Sequence, residues 1–283
     1  MANKPPGKGR WRKLMDEIPA VDLRTDLPHS ARMYDYYLGG KDNFPADRAA
    51  ADQALHAFPG LRMTARQNRA FLIRATRHLA GELGIRQFLD IGTGIPTSPN
   101  LHEVAQEIIP GARVVYADND PIVLTHARAL LTSSSPGRTA YLDADIRDPA
   151  KILRAPELLD TLDLTEPVAL SLVAIFHFVP DSDDPYGIVD TLVDALPTGS
   201  TLTLTHVTPD FAPREVEQLA EIYRKQGIPA RPRTHAEVVR FFDGLDLVDP
   251  GVRLLHRWRP DDDTPTDVTD AEVGGYGAIA RKA

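Results

Sequence analysis

The sequence predicts an α/β protein: a doubly wound, Rossmann-like and mostly parallel sheet, with a late antiparallel strand and an N-terminal helical cap. Three observations predict it. From Gln87 onward, short runs of β-forming residues alternate with amphipathic helical segments, the pattern of parallel strands joined by crossover helices. Connecting segments open on a capping side chain followed by proline, at Ser98–Pro99, Asp120–Pro121 and Asp184–Pro185. A turn holding Gly92 and Gly94 directly follows the first strand, where sheets of this kind bind ligands.

In chain order, Pro28 to Phe58 and Thr64 to Leu79 read as helical, the second with a capping box from Thr64 to Gln67 and an apolar stripe at Phe71, Ala75 and Leu79. Expected strands are Gln87 to Ile91, Arg113 to Asp118, Thr139 to Asp143, Val168 to Ile175 and Thr201 to Val207. Gly251 to Arg257 and Gly277 to Arg281 suit an antiparallel edge pair. The segment between them, Arg259 to Glu272, holds six acidic residues and two prolines and reads as a solvated loop. The expected division is a flexible basic tail over 1–20, a helical cap or lid over 21–84, and a ligand-binding α/β domain over 85–283.

Composition narrows the function classes. The chain has 283 residues, 42% hydrophobic and 25% charged, ordinary for a globular domain with a sizeable core. A net charge of −8 offers no global attraction for nucleic acid or an anionic membrane, so neither partner is expected. With no cysteine there are no disulfides, thiolate metal sites or cysteine nucleophiles. The basic opening lacks an apolar signal run and no segment is apolar for long enough to span a bilayer, so the expected location is cytoplasmic.

The turn after the first strand reads F-L-D-I-G-T-G-I-P-T, Phe88 to Thr97. Gly92 and Gly94 let the backbone turn sharply and approach a ligand. A dinucleotide fingerprint would need a third small residue at Thr97 and no carboxylate against the pyrophosphate, and the turn fails on both counts. Asp90 suits instead a ligand carrying an ammonium group and a positively charged sulfur. Asp118 ends the second strand, where a carboxylate can accept both ribose hydroxyls. After the third strand, Asp145 can read an adenine amino group while Ile146 covers the ring. Any one of these acids could merely cap a turn; three at successive strand ends are harder to explain so.

Phe88 to Gly94, Asp118 and Asp145–Ile146 resemble the successive motifs of class I S-adenosylmethionine-dependent methyltransferases, over roughly Arg86 to Val207. The whole chain, including Ala31 to Phe44 and His177 to Gly187, also resembles a bacterial family of largely uncharacterised methyltransferase-like proteins. The resemblance implies S-adenosyl-L-methionine as cofactor, held by Asp90, Gly92, Thr93, Gly94, Asp118, Asn119, Asp145, Ile146 and Ala174. It also implies Arg32 as partner of the cofactor's carboxylate. Pro96 stands where the class motif commonly has a third glycine.

Past the fourth strand, His177 is the candidate general base, because methyl transfer to a hydroxyl needs a proton removed. Its surroundings resemble, without the tryptophan, the H-D-W-S-D segment of small-molecule O-methyltransferases. A structural histidine is the alternative, and His206 is a second candidate. Tyr34, Tyr36, Tyr37 and Phe44 read either as a lid or as a fixed cap. Gly39–Gly40–Lys41 lacks phosphate-loop spacing, and no metal site or hydrolase elbow is expected. The expected function is methyl transfer to a small-molecule acceptor at oxygen. A catalytically silent cofactor-binding module acting through a partner is the alternative, and a nicotinamide oxidoreductase is the third reading, opposed by Asp90 and Thr97.

Overall fold

The computed structural model describes residues 23–130, 133 and 136–283, so the expected tail over 1–20 lies outside the described residues. Eight strands form one sheet in the order β3-β2-β1-β4-β5-β8-β6, with β7 also paired to β8. Strands β1 (Gln87–Ile91), β2 (Arg113–Asp118), β3 (Arg138–Asp143), β4 (Ala169–Leu172) and β5 (Thr201–Val207) are parallel. The order reverses between β1 and β4, so their carboxyl ends open the crevice that binds ligands in such sheets. Strand β8 (Gly275–Arg281) is antiparallel to β5, to β6 (Asp246–Leu247) and to β7 (Arg253–Leu254). The late antiparallel strand is as expected. The run from Gly251 to Arg257 contributes only β7 before a 3₁₀ turn over Leu255–Arg257, and β6 was not anticipated, because two-residue strands carry no periodicity.

Both faces of the central strands β1, β2, β4 and β5 are buried, although β5 alternates threonine with leucine and β3 at the edge is only partly covered. Leu89 and Val115 join the core on one face while their neighbours Phe88 and Val114 join the core on the other. On the second face lies α3 (Leu61–Gly81), with Phe71 edge-on to the fully buried Trp258 at 5.0 Å between ring centroids. Buried Arg74 donates to the carbonyls of Leu255 and Trp258, tying the late turn to α3.

The helical stretch expected from Pro28 to Phe58 is two helices, α1 (Ser30–Leu38) and α2 (Pro45–Ala57). Gly39 ends α1 in the left-handed conformation at φ 83°, and Asp35 accepts from Asn43 and from Asp42 N–H to shape the turn that follows. Helix α3 begins at Leu61, so Thr64 is no cap: its hydroxyl bonds the carbonyls of Gly60 and Glu272. Likewise α4 (Leu101–Ile108) does not start at Pro99, because Asn100 is its cap residue and Glu103 reaches back to the Asn100 N–H. Asp120 before α5 (Pro121–Leu130) accepts from Ile122 N–H. The short α6 (Pro149–Leu153) and α7 (Pro156–Leu159) follow β3. Asp184 caps α8 (Pro185–Asp194) as the sequence indicates. Strand β4 stops at Leu172, shorter than expected, because Ala174 at φ 58° turns the chain out of the sheet and its N–H bonds Thr205 Oγ1. After β5 come α9 (Pro213–Lys225) and α10 (His235–Val239), and the acidic loop closes in α11 (Asp270–Val273).

Helices α1 and α2 pack with Leu219 and Tyr223 of α9 in a separate apolar cluster that includes Met33, Tyr37 and Ala54. Phe44 and Ala31 pack on Ile95, Ile122 and Val123 beside the glycine turn, so the cap roofs the strand ends. No described helix is long and apolar enough to cross a membrane.

Candidate active site

The turn after β1 is shaped by its own backbone. Gly92 and Gly94 sit at φ 76° and 68°, a region L-residues rarely adopt. A Cβ on Gly92 would lie 2.4 Å from Ile175 Cδ1, so glycine is needed for space as well as conformation. The N–H groups of Gly92 and Thr93 donate to Ala117 O at 2.8 and 3.3 Å, and Gly94 N–H donates to Asp118 Oδ2 at 2.8 Å. Thr93 Oγ1 closes the turn on Asp90 O. These donors, which in a phosphate-binding turn would face the ligand, are already engaged.

The three acids at the strand ends differ in what they can still bind. Asp90 is buried beside Asp118, and burial pushes its carboxyl up to about 7, with Arg69 opposing and Asp118 reinforcing the shift. Asp118 is also raised by burial; its oxygens accept the N–H groups of Gly94 and Asp120, which leaves each oxygen a further lone pair. Asp145 is different. Its oxygens take the Arg147 guanidinium and backbone N–H together with Asn119 Nδ2, and the Arg147 contacts hold it down to about 2. With its acceptor positions filled, Asp145 meets an adenine amino group only by exchanging Asn119 or Arg147. Ile146 lines the same wall with an unencumbered apolar side chain.

Arg32 lines the cavity, but its donors are largely engaged within the protein. Its Nε bonds Asp47 at 3.1 Å and its terminal nitrogens bond the carbonyls of Leu23, Arg24 and Leu27, so the whole guanidinium holds the cap together. Arg69 of α3 also lines the cavity, and it keeps a donor free. It donates to the carbonyls of Thr97 and Pro99, while its buried Nε has no partner. Arg69 escaped the sequence reading because a single arginine in an amphipathic helix reads as a solvated face.

A hydrogen-bond relay joins the loop after β4 to the cap. Ala174 N–H donates to Thr205 Oγ1, which donates to Asn68 Oδ1 at 2.6 Å; Asn68 Nδ2 donates to the Tyr34 hydroxyl, which donates to Ala65 O. Beyond it, His177 lines the cavity with Nδ1 buried and unpartnered. Burial first, and the Arg233 guanidinium second, push its imidazole down to about 3, so it is neutral at physiological pH. His206 cannot serve as an alternative base. Its Nδ1 donates to Val207 O, and its Nε2 accepts from Arg233 Nη1 at 3.0 Å, so both ring nitrogens are engaged. Fully buried Arg233 also donates to Phe176 O, Val179 O and Asp181, pinning the turn that carries His177.

Asp90, Asp118, Asp145, Arg69, Asn68, Tyr34 and His177 open on one cavity of about 640 Å³. One half is walled by the strand ends, with Asp90, Gly92, Asp118, Ile146 and Ala174; the other, bounded by α1, α3 and α9, is lined by Tyr37, Leu61, Leu219, Ala220 and Tyr223.

A family model described as S-adenosyl methyltransferase matches residues 16–283. The chain belongs to that family. It is similar to a DUF574-family protein of Streptomyces avermitilis, at 55% identity and TM-score 0.91, over 92% of this chain and 100% of the other. It is also similar to a candidate methyltransferase of Thermobifida fusca, at 43% identity and TM-score 0.85, over 94% and 99% of the two chains. A search of curated proteins returns no significant match.

The crevice of this S-adenosylmethionine-dependent methyltransferase fits its methyl donor. Asp90 offers a buried carboxylate to an ammonium or sulfonium charge, and Asp118 keeps lone pairs for ribose hydroxyls. Arg69 Nε is an orphaned donor suited to the donor's carboxylate, and a side chain at Gly92 would clash with Ile175, which also lines the crevice. Among the described residues no group of histidine and acidic side chains could hold a metal ion.

Proposed function

We propose that the protein methylates a hydroxyl of a small, mainly apolar molecule held in the cavity half between α1, α3 and α9. In this reading residues 21–84 cap the acceptor, and 85–283 hold the cofactor through Asp90, Gly92, Thr93, Gly94, Asp118, Asn119, Ile146 and Ala174. Arg69 takes the carboxylate in place of Arg32, and Asp145 orients Asn119 and Arg147 at the rim. When bound, S-adenosylmethionine supplies a methyl group on a positively charged sulfur. His177 carries the proposal, as the neutral imidazole on the cavity wall whose ring nitrogens hold no hydrogen bond among the described residues. It accepts the acceptor's hydroxyl hydrogen, orients the oxygen and receives the proton. Arg233 opposes the imidazolium, so proton removal and positioning act together, and neither is expected to dominate the rate.

The test is His177→Ala with a hydroxyl acceptor. Turnover is expected to fall roughly 10²-fold, at the low end of general-base effects, with S-adenosylhomocysteine affinity unchanged. Between about pH 5 and 8 the wild-type rate should show no ionisation that disappears in the variant, because His177 stays neutral throughout that range. Wild-type turnover in the alanine variant would remove His177 from the chemistry.

A further inference from the structure

The cavity half beneath the cap carries side chains that neither cofactor binding nor proton removal uses. Tyr37 of α1 and Tyr223 of α9 meet there hydroxyl to hydroxyl at 2.8 Å, although 186 residues separate them. Both line the cavity and both are buried. Phe178 stands beside them, its ring 5.6 Å from Tyr223 and 4.3 Å from His177, so an aromatic wall runs from His177 to the tyrosine pair. Leu61, Leu219 and Ile228 complete the surface with aliphatic side chains.

The polar content of this half is small and countable. Two hydroxyls carry two hydrogens, and their shared bond uses one of them. Among the described residues the other hydrogen meets no further partner, and the pair keeps unused lone pairs. The arginines that line the cavity along these helices are committed elsewhere, Arg32 to Asp47 and backbone carbonyls, Arg69 in this reading to the cofactor's carboxylate, and Arg231 to Asp181 at 3.0 Å and Glu237 at 2.7 Å. A charged acceptor would therefore lose its hydration without gaining a counter-ion, whereas a neutral aromatic ring would gain stacking and apolar contact.

We infer that the acceptor is an uncharged aromatic compound whose ring lies along Phe178 and Tyr223 and whose second polar substituent, remote from the methylated oxygen, bonds the Tyr37–Tyr223 hydroxyl pair. This rests on the proposed acceptor site and goes beyond it in naming the substrate class and two specificity-determining residues.

The experiment titrates the full chain, with S-adenosylhomocysteine present, with three probes: naphthol, the naphthalenediol with hydroxyls at opposite ends of the ring pair, and naphthoate. The diol is expected to bind about threefold to tenfold more tightly than naphthol, the worth of one neutral hydrogen bond. Naphthoate should bind at least about tenfold more weakly than naphthol. In Tyr37→Phe/Tyr223→Phe the diol's advantage should vanish while naphthol affinity stays. Naphthoate binding as tightly as naphthol, or a diol advantage that survives in the double variant, would overturn the inference. If the double variant does not fold, Tyr223→Phe and the ranking of the three probes on the wild type decide the same question. Binding of S-adenosylhomocysteine without any naphthol binding would refute this inference alone. Failure to bind S-adenosylhomocysteine would instead count against the cofactor site.

Discussion

Asp90 and Asp118 are buried side by side at neighbouring strand ends, and the burial of Asp90, reinforced by Asp118, is expected to make cofactor binding depend on pH. In the folded protein Asp90 titrates near 7, above its unfolded value, so the folded state holds the proton more tightly between those two values. Asp90 therefore costs stability as pH rises from about 4 toward 7, and the cost levels off above that. A cationic ligand favours the ionised form. Affinity for S-adenosylmethionine is expected to rise between about pH 5.5 and 7.5, with proton release on binding, and Asp90→Asn should flatten the dependence. Calorimetry in buffers of different ionisation enthalpy measures both; an affinity that does not change with pH in the wild type would exclude the linkage. At the same scale the acids are ranked by their free lone pairs. Asp118→Ala is expected to weaken cofactor binding by about 1.5–3 kcal/mol, as for hydrogen bonds to a charged group. Asp145→Ala should cost less than about 1 kcal/mol, because its oxygens already serve Arg147 and Asn119. Equal losses in a direct titration would refute that ranking.

Among the elements, the turn from β1 and the loop after β4 face each other across the crevice. Gly92 touches Ile175, and Ala174 is held in a left-handed conformation by its bond to Thr205. Gly92→Ala adds backbone strain at φ 76° and forces Ile175, which lines the crevice, to shift. The variant is expected to lose about 1–3 kcal/mol of stability and to bind S-adenosylhomocysteine more weakly than this destabilisation explains. Denaturant melts and calorimetry on one preparation separate the two; an Ala variant with wild-type affinity would show that the contact does not shape the crevice. The strands that frame this turn were legible: β1, β2 and β5 span the residues that their β-forming runs indicate. The start of α4 was not. Pro99 follows a good capping residue, yet Asn100 and Glu103 form the more stable helix entry two residues later.

For the whole molecule, the crevice lies between a cap and a sheet that share few local contacts along the chain but close on one cavity. A ligand that bridges them should stabilise both. S-adenosylhomocysteine at about a hundredfold excess over its dissociation constant is expected to add about 2.7 kcal/mol and raise Tm by several degrees, while NAD leaves Tm unchanged. Scanning calorimetry checks this, and an NAD-induced shift of equal size would contradict the crevice chemistry described above.

The amino-acid sequence by itself determined the parallel sheet, the glycine turn, the acids at the strand ends and the placement of His177. Each follows from patterns within a dozen neighbouring residues: apolar runs, capping side chains and glycines in tight turns. The tertiary structure decided which side chains are still free to act. Arg32 proved to be bound within the cap and Arg69 to keep a donor free; His206 is locked by Arg233, and Tyr37 meets Tyr223. Those outcomes depend on partners far apart in the chain and on how many donors and acceptors each group retains after packing, and neither quantity is encoded in local spacing.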